Sequence, residues 1–420
     1  MRDESTYVYQ KSERTIVCFT ASYPYGNRET YFETELKFLS NAFEKVIIIP
    51  RYNPFKSDGR REVPANVEVL DPIVVQGWRR VLYGLFNRSP VKSFILEFLK
   101  KKVFLNHNHF LKWFNALLVH RTTFCKIKPL IRSLDKNTVL YAYWAEIPLF
   151  TSDCVRSFKK VVRMHGGDFY LNRNHGYLPL RQDIYDAANL LLPISKDIAN
   201  VLTTTYNQTS SKILINHLGV QRSIHEIKPY DVTSYNTKVI VSCSNVIPLK
   251  RVHLIVDALK LASSEENIEW HHFGDGIELK AIEKRIELLS DNIKVFLHGW
   301  TSPNKLMDFY RANNITWFIN VSKYEGIPVS IMEAFSFGIP AIATNVGGTS
   351  EIVNNENGYL VSPDFEPQKL LDLITGTKVD RYLNMRINAY NTWNNRFNAS
   401  VNYQRLISKL MILNEQNNIL

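Results

Sequence analysis

Two glutamates eight residues apart, Glu325 and Glu333, sit in the segment SKYEGIPVSIMEAFSFGIPAIATNVGGTSEIV, residues 322–353. An ionised carboxylate only accepts hydrogen bonds, so it suits the hydroxyls of a sugar or a ribose. It repels phosphate, so it must stand beside a phosphate rather than on it. Between the two lies Glu325-Gly326-Ile327-Pro328, a tight loop. Gly326 permits positive φ and close approach of a ligand, and Pro328 suits the opening of a helix. From Val329 to Phe337 the pattern is helical, and Gly338 fits its C-terminal cap. The backbone of Ile327, Pro328, Val329 and Ser330 opens that helix, where N–H groups can point at a diphosphate. Glu333, one turn in, can then reach a ribose hydroxyl pair, and Glu325, ahead of the helix, a sugar hydroxyl. The plain alternative is that both are surface charges of an ordinary strand–helix–strand unit.

The flanking elements position this segment. ITWFINV (315–321) is a short run of β-branched and aromatic residues, which predicts a buried parallel strand. IPAIAT (339–344) predicts the next strand, and Asn345 to Gly348 a turn. A parallel strand–helix–strand unit binds ligands at the carboxyl ends of its strands. Upstream, residues 238–245, 268–276 and 293–300 read as strands, with helices at 251–263 and 277–289. The N-terminal half shows the same alternation. Strands are expected at 15–24, 46–50, 138–144, 160–168, 186–195 and 211–219, with a helix at 30–41 and a mostly helical stretch at 78–134. Residues 220–237, polar and interrupted by Pro229, read as a linker, and 380–420 as helical.

The order Glu325-Gly326, Pro328, Glu333-Ala334, Gly338-Ile339-Pro340, Gly347-Gly348 and Glu351 resembles the signature of retaining GT-B glycosyltransferases of family 4, the glycosyl transferases group 1. The resemblance implies an α/β fold of two Rossmann-like domains facing across a cleft. An acceptor-binding domain is expected over 1–225, with helices 395–420 packing back on it, and a nucleotide-sugar-binding domain over 226–394. It implies that Glu325 contacts the donor sugar and Glu333 the ribose. It further implies transfer of a sugar from a nucleoside diphosphate sugar to a hydroxyl of a glycan or lipid-linked acceptor, in surface-polysaccharide assembly.

Other positions match the family less fully. Lys250 follows a strand where the family holds the diphosphate with an arginine and a lysine five apart. Asn245 stands in place of that arginine, and Arg251 is adjacent. A cation is needed there because the leaving diphosphate gains charge in the transition state. His165-Gly166-Gly167-Asp168 resembles the family's histidine loop. His165 can bond the donor sugar or turn its carbonyl toward the anomeric carbon, and Asp168 can orient it or bind an acceptor hydroxyl. Gly26 would approach phosphate or acceptor after the first strand. Gly274 belongs to a Gly-Asp-Gly turn, and Gly299 precedes Trp300 where the family contacts the base. His271 and His272 read as packing. The chain has no Asp-x-Asp sequence, which fits chemistry without a metal or other cofactor.

Composition bounds the rest. The 420 residues suffice for two domains, and 45% hydrophobic content supplies a core. Cys18, Cys125, Cys154 and Cys243 show no metal spacing and read as free thiols of a reducing compartment. With no apolar leader near the start and no apolar run of spanning length, a cytoplasmic location is expected. Net charge is +11, and residues 76–132 hold twelve Lys/Arg against one acid, Glu97. Trp78, Phe86, Phe98, Phe110 and Trp113 are interleaved with these cations. Such a region suits an anionic membrane surface on the inner face. It also fits nucleic acid, or a core whose lysines are merely solvated; membrane contact without nucleic acid is the reading we favour. Rival functions are a nucleotide-sugar epimerase of the same fold and a non-catalytic membrane- or nucleic-acid-binding protein.

Overall fold

A computed structural model of the chain describes residues 12–26, 29–54, 59–75, 77–87, 89–222 and 228–415. The chain divides into two compact units, residues 1–216 with 403–420, and 217–402. The expected domain boundary at 225/226 lies outside the described residues.

The first unit is built on β1 (Ser12–Thr20), β2 (Phe43–Pro50), β3 (Val67–Val69), β4 (Val139–Ala142), β5 (Lys159–Met164) and β6 (Leu190–Pro193). All five pairings are parallel, in the order β3-β2-β1-β4-β5-β6. Residues 16–19 of β1 and all of β4 and β6 are buried, as expected of strands covered on both faces. Helices α1 (Thr30–Ala42), α2 (Trp78–Phe86), α3 (Lys92–Lys100), α4 (His107–Ser133), α5 (Gly166–Phe169), α6 (Arg181–Ala187) and α7 (Lys196–Thr204) follow or link these strands. A charged pair lies in the core. Arg163 Nη2 stands 3.1 Å from Glu35 Oε2, with both side chains fully buried. Tyr141 donates to Glu35 (2.7 Å), while Arg163 donates to Tyr141 and to the Asn216 side chain (2.6 Å each).

The second unit holds β7 (Lys238–Cys243), β8 (Ile268–Phe273), β9 (Ile293–Leu297), β10 (Trp317–Asn320), β11 (Ala341–Thr344) and β12 (Gly358–Val361). Its order is β9-β8-β7-β10-β11-β12, again wholly parallel. Counted along the chain, each sheet therefore runs 3-2-1-4-5-6, and each reverses direction beside its first strand. Helices α8 (His253–Leu259), α9 (Leu279–Ile286), α10 (Pro303–Ala312), α11 (Val329–Ser336), α12 (Pro367–Thr375) and α13 (Val379–Thr392) belong to it, and α14 (Ala399–Glu415) closes the chain. Trp270, Trp317 and Tyr382 anchor its core.

One expectation needs correction, and two strands were not foreseen. Residues 211–219 form no strand; the segment makes a short 3-10 turn and a single bridge from Ile213 to Leu191. Its apolar residues are interrupted by Asn216 and His217, and the Asn216 side chain is taken by Arg163. The edge strands β3 and β12 escaped notice because they are only three and four residues long.

Candidate functional site

In the second unit the crevice at the reversal point is bounded by the loops after β7 and β10. Main-chain and side-chain bonds stitch the two loops together. Lys323 N donates to Leu249 O (2.8 Å), and Arg251 donates through Nε to Val321 O (2.8 Å) and through Nη1 to Pro363 O (2.7 Å). The Arg251 guanidinium is thereby committed to carbonyls, and its backbone adopts φ 51°. Arg251 thus fastens the loop that carries Lys250. Asn245 is exposed in the same loop.

Lys250 Nζ lies 2.6 Å from Glu325 Oε1, and both side chains are largely buried. Asn320 Nδ2 donates to the same oxygen at 3.2 Å, and its Oδ1 accepts from Ser322 N. The cation and the carboxylate expected at this site are therefore in contact. Glu333 stands on α11 one turn beyond the loop, and burial pushes its carboxyl up to about 7. Burial and then Glu333 raise the Cys243 thiol to about 12, against the pull of Lys250, so these groups share one neighbourhood. Val329 and Ser330 begin α11, where no preceding turn supplies carbonyls to their amides. Ile327, Pro328 and Val329 are buried.

The glycines hold the loops close. Gly348 N donates to Gly326 O at 2.9 Å. Gly347 has φ 50°, and a Cβ there would meet Glu325 O at 1.9 Å. Gly274 N donates to Gly299 O at 2.8 Å, and a Cβ on Gly274 would stand 1.9 Å from Ser244 O. Gly299 has φ 65° with open space around it. His272 bonds the Ser242 hydroxyl through Nδ1, and His271 stacks on Phe296, so both are packing residues.

The first unit has its own crevice at the equivalent place. His165 caps α5: its ring accepts from the amide of Asp168, and Nε2 lies 3.1 Å from Tyr143 O. Burial and Arg163 push the imidazole down to about 3, so it is neutral, with Nε2 donating and Nδ1 accepting. Both ring nitrogens are thus occupied. With Nε2 held by a main-chain carbonyl, the ring is fixed in orientation. Asp168 accepts from His165 N and Ala145 N (2.7 Å each), while burial pushes its carboxyl up to about 7. Gly26 lies in the loop after β1 with φ 72°. That loop turns the amides of Ala21, Ser22 and Tyr23 onto the Glu29 carboxylate, which also accepts from Trp144 Nε1 (2.7 Å).

Sequence reading passed over Glu29, Arg51, Trp144 and Glu146 around this crevice. A signal was available: Arg51 and Trp144 directly follow strand-like runs, and the carboxyl ends of parallel strands are where ligand contacts gather.

Residues 226–392 match the family model described as Glycosyl transferases group 1. A poly(ribitol-phosphate) alpha-N-acetylglucosaminyltransferase of Staphylococcus aureus (strain COL) is 30% identical over 128 residues, 30% of this chain and 25% of that protein. A lipopolysaccharide 1,6-galactosyltransferase of Salmonella typhimurium is 28% identical over 116 residues, 27% of this chain and 32% of that one. The chain thus spans only a quarter to a third of the length of these relatives. Among solved structures, Anabaena Alr3699/HepE in complex with UDP superposes with a TM-score of 0.65 at 16% identity, covering 95% of this chain and 99% of the other. That likeness establishes the GT-B fold. The match to the glycosyl transferases group 1 model falls within the second unit.

Proposed function

We propose that this chain is a retaining glycosyltransferase of family 4. It moves a sugar from a nucleoside diphosphate sugar held by the second unit to a hydroxyl of a surface glycan or lipid-linked acceptor held by the first. The observation that carries the reading is the contact between Lys250 and Glu325, with Glu333 one turn along α11, inside the group 1 domain. The structural neighbour HepE binds UDP and UDP-glucose, which supports a nucleotide sugar here.

In this reading Lys250 and the amides opening α11 stabilise the diphosphate as it gains charge. Glu333 accepts from the ribose hydroxyls and Glu325 from the sugar. The acceptor oxygen bonds to the anomeric carbon as the bond to the phosphate oxygen breaks on the same face. The leaving phosphate oxygen takes the acceptor proton, so no side-chain base is required. The main-chain carbonyl of His165 faces developing positive charge, which a neutral, capped imidazole leaves undisturbed. Because Lys250 supplies positive charge at the phosphates, transfer is expected to persist in EDTA.

The test is a thermal-shift panel of nucleotide sugars in EDTA. A ligand at about 100 times its Kd adds about 2.7 kcal/mol of stability. A selective shift that disappears in Glu333→Ala supports the reading; no shift with any donor overturns it. Incubation with donor alone separates the epimerase, which would interconvert sugars without an acceptor.

We further propose peripheral contact with the inner face of a membrane through residues 76–132. Trp78 is 69% exposed, Phe86 82% and Leu105 72%, and Arg79, Arg80 and Lys100 to Lys102 stand among them. Exposed aromatic and aliphatic groups beside cations fit an anionic bilayer surface. No helix among the described residues is long and apolar enough to cross a membrane. Sedimentation with anionic vesicles should fall sharply in the double variant Trp78→Ser, Phe86→Ser; equal sedimentation would remove this part of the reading.

A further inference from the structure

Two cavities of the first unit share a wall. The larger, about 440 Å³, is bordered by Tyr52, Tyr143, Trp144 and Gly167, and the smaller, about 180 Å³, by Lys112, Asn174 and Arg181; Arg51 and Glu146 line both. The larger offers aromatic faces and suits a sugar. The smaller lies below the ~300–1,000 Å³ of sites that take drug-sized ligands, and it sets three cations and one carboxylate against an apolar wall that includes Val119, Leu178 and Ile184.

Three cations meet one carboxylate there. Arg51 Nη1 lies 2.5 Å from Glu146 Oε2, a close pair. Arg181 is only 2% exposed, yet its ion pair to Glu146 Oε1 is stretched to 3.8 Å. Its Nε has no hydrogen-bond partner. Buried donors are nearly always satisfied, so an under-bonded buried guanidinium facing a cavity points to a missing acceptor. Lys112 Nζ reaches the carbonyls of Asn174 (2.5 Å) and Tyr177 (3.5 Å) at the pocket wall. Burial works against charge on Glu146, but Arg51, Arg181 and Lys112 hold its carboxyl below the ordinary range. One ionised carboxylate thus leaves two of the three positive charges unanswered. Asp168, which also feels Arg181, is already engaged by two amides.

Resting on the assignment of the acceptor to the first unit, we propose that the acceptor carries a phosphoryl group, which docks against Arg181, Arg51 and Lys112 while its sugar fills the larger cavity. Guanidinium groups present paired donors matched to phosphate oxygens. A neutral glycan would leave the pocket's charge and the Arg181 donors unmet. Asn174 also ties the pocket to the histidine loop, donating to Gly167 O at 3.2 Å, so the anion is anchored next to the segment assigned to the reacting face.

The experiment is calorimetric titration of the full chain with sodium pyrophosphate, in a Lys250→Ala background that removes the cation of the donor site. Pyrophosphate should still bind, with an affinity that falls as salt rises. Adding Arg181→Gln should weaken it about tenfold or more. Lys112→Gln, at the partly exposed rim, should weaken it about threefold to tenfold and serves if Arg181→Gln fails to fold. No binding in the Lys250→Ala background, or affinity unchanged by both substitutions, overturns the proposal. Geranyl diphosphate in place of pyrophosphate separates the sources. Tighter binding marks a lipid-linked phosphate, and equal binding a phosphate borne by a soluble glycan; either supports the pocket. Failure of the donor reading would appear elsewhere, as nucleotide-sugar stabilisation indifferent to Glu333→Ala.

Discussion

The two sheets share one strand order, and each places a glutamate in the crevice beside its first strand, yet the two glutamates live differently. Glu29 in the first unit is saturated: three successive amides and the Trp144 indole donate to it. Glu325 in the second is met by Lys250 and Asn320 on one oxygen, Oε1. The first carboxylate is spent on holding a loop, while the second has its two bonds on one oxygen, Oε1. Equal topology thus fixes where a site can form, and the loops decide whether a charge there builds structure or does chemistry.

Truncating each glutamate should break the comparison most visibly. Glu325→Ala is expected to lower kcat for sugar transfer by about 10²–10³-fold, the cost of losing one preorganised polar group at a reacting centre, and to cost about 1–3 kcal/mol of stability because Lys250 loses its partner. Glu29→Ala should destabilise the first unit by about 2–4 kcal/mol, since four donors lose their acceptor. Denaturant melts paired with transfer rates on both variants check this. Two variants with the same profile would mean that the carboxylates are not specialised.

Gly347 sharpens the contrast within the second unit. Its Cβ would meet Glu325 O at 1.9 Å at positive φ, so Gly347→Ala must displace the Glu325 loop. A loss of about 2–3 kcal/mol in stability is expected, from overpacking together with backbone strain, along with a fall in transfer rate. Gly299→Ala meets open space and should cost only about 1 kcal/mol of left-handed strain. Chemical melts of the two variants, run side by side, compare the steric term with the conformational one.

Much of the second unit was legible in sequence because its signals are local. The strand at 317–320, Gly326, Pro328 and the helix carrying Glu333 lie within some twenty residues, so spacing alone places the carboxylates. Lys250 could be nominated from its position after a strand, but its contact with Glu325 spans 75 residues and depends on Arg251 stitching two loops. Adjacency in sequence suggested a phosphate ligand for Arg251; three-dimensional carbonyl geometry made it a fastener. The first unit was far less legible. Arg51, Lys112, Glu146 and Arg181 come from four separate segments, and no pattern in the chain announces that they converge. The His165 ring was readable as a loop histidine, while its capture by Tyr143 O and the Asp168 amide is a tertiary fact.

The finest comparison sets Asp168 against Glu333. Burial pushes each carboxyl up to about 7, but only Asp168 accepts backbone amides on both oxygens. A carboxyl whose folded value is raised above its ordinary one opposes folding as pH climbs through that window. For Glu333 the penalty grows from about pH 4.5 to pH 7 and persists above. Glu333→Gln removes it, so the variant should match the native chain near pH 4 and exceed it by about 1–2 kcal/mol at pH 8, after discounting for its partial exposure. Asp168→Asn removes the same kind of penalty but adds a cost of its own. An asparagine offers one acceptor oxygen to two amides and turns an N–H₂ toward the other, a loss comparable to removing a helix cap, about 1–2 kcal/mol. Because the Asp168 carboxyl is itself raised to about 7, the native chain loses stability as pH climbs from about 4 to 7, so the deficit of Asp168→Asn is largest near pH 4 and shrinks toward pH 8. At roughly 2–4 °C per kcal/mol for units of this size, melting temperatures relative to the native chain should rise from pH 4 to 8 for both variants, starting level for Glu333→Gln and below the native chain for Asp168→Asn. Equal melting temperatures of the two variants at pH 4 would mean that the amide bonds contribute nothing, and that burial alone governs both carboxylates.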